Sequence, residues 1–93
     1  MAADILYNST VYYVYYLRMS NGQIYTGSTS DLKRRVQQHS CGSVQTTSRY
    51  LPVTLLGYEA YGKKSDAQRR ERFMKTTEGK RLFRQQFRDA INN

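Results

Sequence analysis

The sequence predicts an α+β (α/β) domain: three strands in a small antiparallel or mixed sheet, flanked by helices that cover at least one face. Three observations carry that expectation. An aromatic and β-branched run, Tyr12 to Leu17, is followed by Asn21-Gly22 and a second extended run, the pattern of a hairpin. A third extended run, Pro52 to Tyr61, lies between two stretches whose apolar residues recur at helical intervals. No repeat, linker or low-complexity tract divides the 93 residues, a length suited to one domain.

Residues 1–10 read as a flexible or weakly ordered leader, without the positive flank and apolar core of a signal peptide, and 11–91 read as the domain. Tyr12 to Tyr16 places large side chains on both faces of the first strand. That suits a central strand covered on both sides, or one whose phenols line a cleft, since a buried phenol needs a partner. Gln23 to Thr26 pairs back, and Gly27 is expected to end the strand. Ser28 or Ser30 caps a helix over 30–40, with Asp31 in its first turn and Gly42 as terminator. Leu32 and Val36 give that helix an apolar face, and Arg35 and His39 form a second row. Tyr15, Tyr25, Arg35 and His39 are thereby expected around the open end of one hairpin.

Gly42 to Tyr50 is polar and aperiodic, a solvent-facing loop whose Thr46, Thr47, Ser48 and Arg49 could also donate to phosphates. In the third strand Gly57 marks a bulge or a close approach. Gly62-Lys63-Lys64 is a turn, and Ser65 with Gln68 matches a capping box for a helix running to Lys75. Ala67, Phe73 and Met74 define its buried arc, with Glu71 at the edge of that arc. Thr77 caps a last helix over 79–90, whose stripe is Phe83, Phe87, Ala90 and Ile91.

Fifteen basic and seven acidic residues leave a net charge of +8, and 10 of the basic residues follow Ala60. Such an excess favours polyanions: nucleic acid first, then an acidic protein, with no membrane association expected. Nothing approaches 18 consecutive apolar residues, so the expected location is the cytoplasm. One cysteine, Cys41, excludes an internal disulfide and reads as a loop bystander; one cysteine with one histidine makes no zinc finger. The glycines are not spaced for a phosphate-binding loop or a dinucleotide fingerprint, and no serine marks itself as partner to His39 in a triad.

Tyrosine, arginine, histidine and one helix carboxylate remain, and they suit phosphodiester hydrolysis. Arginine supplies fixed donors where charge grows on the phosphate. A single carboxylate can anchor a divalent cation that takes its other ligands from water and substrate.

In order along the chain, YVYYLR, SNGQIYTGST, DLKRRVQQH, LPVTLLGYEAY and AQRRERFMK resemble the GIY-YIG nuclease domain over about residues 12 to 85. That superfamily includes homing endonucleases, the N-terminal nuclease of the bacterial excinuclease C subunit and small stand-alone bacterial proteins. The resemblance implies a three-stranded antiparallel sheet flanked by helices and metal-dependent hydrolysis of DNA, with magnesium (Mg2+) as cofactor and manganese (Mn2+) as substitute. Tyr15 and Tyr25 occupy the two motif tyrosines, Gly27 the motif glycine, Arg35 the catalytic arginine, His39 the position one turn later and Glu71 the metal-binding glutamate. Tyr25 or Tyr15, with His39, would activate the water, Tyr25 being preferred. Tyr13 and Val14 stand where the family name has glycine and isoleucine, and only Gln85 or Gln86 lies where several branches carry a polar residue. Arg34, Arg49, Lys63, Lys64, Arg69 and Arg72 are the expected DNA contacts. A bare domain of this size suits branched or flapped DNA, or delivery by a protein partner. A non-catalytic nucleic-acid-binding domain and a protein-interaction module are the alternatives.

Overall fold

The computed structural model describes residues 10–93; the leader expected over 1–10 lies almost wholly outside them. Three strands, β1 (Tyr12–Arg18), β2 (Ile24–Thr29) and β3 (Thr54–Tyr61), form one antiparallel sheet in the order β2-β1-β3. Helix α1 (Leu32–Ser40) and a 3-10 turn (Ser48–Tyr50) lie between β2 and β3; α2 (Lys64–Met74), α3 (Thr77–Gln86) and α4 (Arg88–Ile91) follow. The first strand is therefore the central one. Val14, Tyr15, Tyr16 and Leu17 are all buried, so consecutive side chains are covered on both faces.

One face carries the apolar core. Val14 and Tyr16 pack with Ala67, Met74 and Phe83, and the Tyr16 ring lies 4.8 Å from Phe83 and 5.2 Å from Phe87. Burial of a side chain of the size of Val14, Met74 or Phe83 contributes about 1.5–3 kcal/mol. The other face receives α1, whose buried residue is His39. The hairpin turns where Asn21-Gly22 predicts it: Gly22 has φ 85, and Asn21 Oδ1 accepts from the Gln23 N–H at 3.0 Å.

Several boundaries differ from the sequence expectation. Gly27 does not end β2 but sits inside it, opposite Tyr15. With β2 running to Thr29, Ser28 is part of the sheet, and Asp31 is the cap of α1, accepting from the Arg34 N–H at 3.2 Å. Gly42, with φ 80, follows the C-cap residue Cys41 as expected. Helix α2 begins at Lys64, so Ser65 is already inside the first turn and the capping box does not form. Phe73 is not in the buried arc of α2; it is 37% exposed, while Ala67 and Met74 are buried.

The last helix is two. Phe87 leaves helical geometry (φ -108, ψ 25) and stacks on Phe83 at 4.8 Å. Its ring also fills the space that a Cβ on Gly57 would need. Packing on the sheet thus outweighs continuation of the helix. Gly57 answers both expectations for it, since the register of β3 against β1 also shifts between Tyr16 and Leu17. Thr76, not Thr77, caps α3, accepting from the Gly79 N–H at 3.1 Å. No helix among the described residues is long and apolar enough to cross a membrane.

Candidate active site

Tyr15 projects from β1 toward α1 and crosses the backbone of Gly27 on the neighbouring strand. A Cβ at Gly27 would stand 2.6 Å from Tyr15 Oη and 3.0 Å from the Tyr25 ring, so this position leaves room for hydrogen alone. Through that gap Tyr15 Oη reaches His39 Nε2 at 2.8 Å, and His39 Nδ1 meets Thr47 Oγ1 at 2.8 Å. Thr47 Oγ1 in turn lies 3.5 Å from the Val44 carbonyl. A carbonyl only accepts, so the threonine proton points to it and the threonine oxygen accepts from Nδ1–H. His39 Nε2 is then left to accept the Tyr15 proton. All three side chains are buried.

Tyr25 and Arg35 close the cluster from the solvent side. The Tyr25 ring centre is 4.9 Å from that of His39 and 6.2 Å from that of Tyr15, and it is only half-buried. Burial pushes the Tyr15 phenol up to about 12, against the Arg35 guanidinium, which favours the phenolate, while Tyr25 beside it adds to the rise. The same phenol holds the Arg35 charge in place from the other side. Burial, and then the charge of Arg35, lower the His39 pKa and favour the neutral imidazole. Arg35 Nη1 also donates to Gln38 Oε1 at 3.1 Å. A polar cavity of about 380 Å3, lined by Ser28, Asp31, Arg34, Arg35 and Gln38 among others, opens beside it.

Glu71 does not join this cluster by a hydrogen bond. Ser28 pairs with Val14, so its side chain shares the α2 face of the sheet, whereas Gly27 and Tyr15 share the α1 face. Glu71 approaches from the α2 face: Ser28 Oγ donates to its Oε1 at 2.5 Å and Lys75 Nζ to its Oε2 at 2.9 Å. The two halves meet at β2, an edge strand, where Ser28 both holds Glu71 and lines the cavity of Arg35. Burial raises the Glu71 carboxyl, but the bonds from Ser28 and Lys75 and the charges of Lys75 and Arg72 outweigh it and hold the pKa below the usual range.

Among the described residues no three His, Cys, Asp or Glu side chains are placed to share a metal. The described residues therefore offer no cage for a cation. An ionised carboxylate with unused lone pairs fits a magnesium-type ion that keeps most of its waters and takes further oxygens from phosphate.

The remaining expected contacts are exposed and dispersed. Arg34 alone shares the cavity of Arg35. Arg69 is paired to Asp66 at 2.8 Å, and Arg49 lies in the 3-10 turn. Lys63 and Lys64 open α2, about 10 Å along its axis from Glu71. Two neighbours were not foreseen as part of the site: Thr47 is buried against the histidine instead of facing solvent or phosphate, and Ser28 holds Glu71. Lys75, one helical turn beyond Glu71, is the ion-pair partner that their spacing offers. A buried histidine needs a partner on its second nitrogen, and the hydroxyl run Thr46-Thr47-Ser48 was the nearest supply.

The sequence model of the GIY-YIG catalytic domain matches residues 11–85. A UPF0213 protein of Streptococcus agalactiae serotype V is 44% identical over 64 residues, covering 68% of this chain and 73% of its own. A UPF0213 protein of Halobacterium salinarum is 42% identical over 62 residues, covering 66% and 80%. The solution NMR structure of a UPF0213 protein from Bacillus halodurans superposes with a TM-score of 0.52 at 32% identity, covering 78% of this chain and 81% of that one. With the family's domain spanning nearly all the described residues and its sheet order in place, this chain belongs to the GIY-YIG catalytic domain family.

Proposed function

We propose that the chain binds nucleic acid and that the cluster around Tyr15 is a centre for hydrolysis of DNA phosphodiester bonds. The charge of +8 supports binding. The observation that carries hydrolysis is the Tyr15–His39–Thr47 line, three buried polar groups joined at 2.8 Å contacts behind an arginine that faces a polar cavity. A core side chain serving packing alone would not need that line.

In this reading Arg35 binds the scissile phosphate and meets the charge that grows on it. Tyr25, the least buried of the three rings, orients the attacking water. Tyr15 Oη takes the proton that the water loses as it passes its own to His39 Nε2, which is free to take it because the imidazole is neutral. A phenol with a pKa of about 12 serves as a relay here and not as a standing phenolate. Glu71 would hold a magnesium ion, with manganese able to substitute, and the ion would supply positive charge at the departing 3′ oxygen.

A second reading, nucleic-acid binding without cleavage, draws on a different observation: both Glu71 oxygens are already engaged, by Ser28 and Lys75. One experiment separates the two. Duplex, single-stranded, flap and junction DNAs are incubated with magnesium or manganese beside Glu71→Gln and Arg35→Lys proteins, and binding is measured in parallel. Product from the wild type and none from the variants supports the enzyme. Salt-sensitive binding with no product from any substrate leaves the binding domain, and absence of both ends the proposal.

A further inference from the structure

A groove of about 470 Å3 runs along the free edge of β2, between it and the junction of α2 and α3. Half-buried Met19 and Ile24 lie along it with buried Phe83, and exposed Lys75, Lys80 and Arg84 border it. A second cavity of about 340 Å3 shares Gly22, Ile24 and Arg84 with the first and adds Arg18 and Arg88. The two therefore form one trough with five cationic residues, and no aspartate or glutamate is among the described residues lining it.

The trough begins where the candidate site ends. Tyr25, whose ring lies 4.9 Å from that of His39, borders the groove along β2; Lys75 holds Glu71 and also borders the groove. Lys80, Arg84 and Arg88 follow at four-residue intervals, and Lys80 and Arg84 stand on one face of α3. Like charges at that spacing repel each other, an arrangement that a bound polyanion relieves.

We infer that this trough binds an unpaired strand of nucleic acid that continues from the scissile phosphate, with phosphates along the Lys75, Lys80 and Arg84 rim and bases against Met19 and Ile24. The assignment rests on the nucleic-acid reading above and narrows it to substrates with a single-stranded segment. Cations at the rim with an apolar floor match a strand whose bases are free to leave the stack. A duplex keeps its bases stacked inside and would set charged phosphates against the floor instead. None of the contacts expected from sequence (Arg34, Arg49, Lys63, Lys64, Arg69, Arg72) lines this trough.

The test is fluorescence anisotropy of a labelled twelve-nucleotide oligothymidylate and of a blunt twelve-base-pair duplex, each titrated over a range of salt. Wild type is compared with Lys80→Gln/Arg84→Gln and with a charge-matched control, Lys33→Gln/Arg81→Gln, whose exposed residues lie outside both cavities. Circular dichroism checks that all three proteins are equally folded. The wild type should prefer the single strand, and the groove variant should lose that preference. Its log-affinity against log-salt slope for the single strand should fall in magnitude by about 1.4, from two lost phosphate contacts at roughly 0.7 each. The control should keep the wild-type preference and slope. Equal loss in both variants, a groove variant indistinguishable from wild type, or a wild-type preference for duplex would overturn the inference while leaving binding intact. Displacement of the oligonucleotide by polyglutamate at equal charge would reassign the trough to acidic protein. No binding of either nucleic acid by the wild type would remove the parent reading with it.

Discussion

Tyr15 Oη and His39 Nε2 lie 2.8 Å apart across 24 positions of sequence, and both side chains are sealed from solvent. The contact joins the central strand to the helix over it through the one place on β2 that carries no side chain. Strand pairing, helix placement and a proton path are thus set by the same few atoms.

Gly27→Ala should break this arrangement. The added methyl would stand 2.6 Å from Tyr15 Oη, so the ring has to leave His39. A loss of about 1–3 kcal/mol, typical of an overfilled core site, is expected from urea denaturation. The His39 ring resonances should shift in the same variant, and a wild-type spectrum would contradict the steric account.

Thr47→Val keeps the shape and removes the partner of His39 Nδ1. A buried donor left unpaired costs about 1–3 kcal/mol, so the unfolding free energy from urea denaturation should fall by that amount. Thr46→Val, at an exposed neighbour, should change it little.

Stability should fall as pH drops below about 6.5, the ordinary histidine value. His39 has its pKa lowered in the folded chain, so below that pH the unfolded chain takes up a proton that the folded chain refuses. The stabilisation is present above the unfolded pKa and is lost as pH falls through the folded one. His39→Gln should flatten this part of the urea-midpoint profile. At the alkaline end the raised Tyr15 pKa has the opposite sign, with stability declining as pH climbs from 10 toward about 12.

Arg35→Lys retains the charge but loses the paired, planar donors. Cleavage, where it occurs, should drop by about 10²–10³ while affinity for DNA changes little. Comparable losses in binding and cleavage would place Arg35 in general attraction and not at the reacting phosphate.

Tyr16→Phe should be neutral or stabilising by about 1 kcal/mol. Its hydroxyl is buried with no hydrogen-bond partner, and burial, then the charge of Glu59, raise its pKa well above that of a free phenol. A marked fall in the melting midpoint would mean that the hydroxyl has a role that geometry does not reveal.

The hairpin and the strand count were legible because Asn21-Gly22, the β-branched run and the phenol-rich strand all favour the same local structure. Tyr15, Tyr25, Arg35 and His39 gather on one face of the sheet as their spacing predicts, whereas Glu71 sits on the other, reached through Ser28. Cap choice at α1 was not legible: Ser28, Ser30 and Asp31 are all competent, and the outcome follows from where β2 ends, at Thr29, and where the helix begins, at Leu32. The break at Phe87 was invisible because Phe83, Phe87 and Ile91 keep helical spacing straight through it. The ring of Phe87 at that break lies over a glycine on a distant strand, Gly57. Thr47 and Ser48 look alike in sequence, and only the histidine behind one of them tells them apart.

Thr47 gives the segment between α1 and β3 an influence beyond packing. Val44 and Thr47 are its only buried side chains over 43–50, and hydrogen bonds from Ser43 to the Gln38 carbonyl and from the Ser20 N–H to the Tyr50 carbonyl hold its two ends. Whenever that segment breathes, solvent gains the imidazole, and the histidine exchanges a threonine oxygen for water. Amide exchange at Val44 to Ser48 should therefore set how often the buried proton path opens to the bulk.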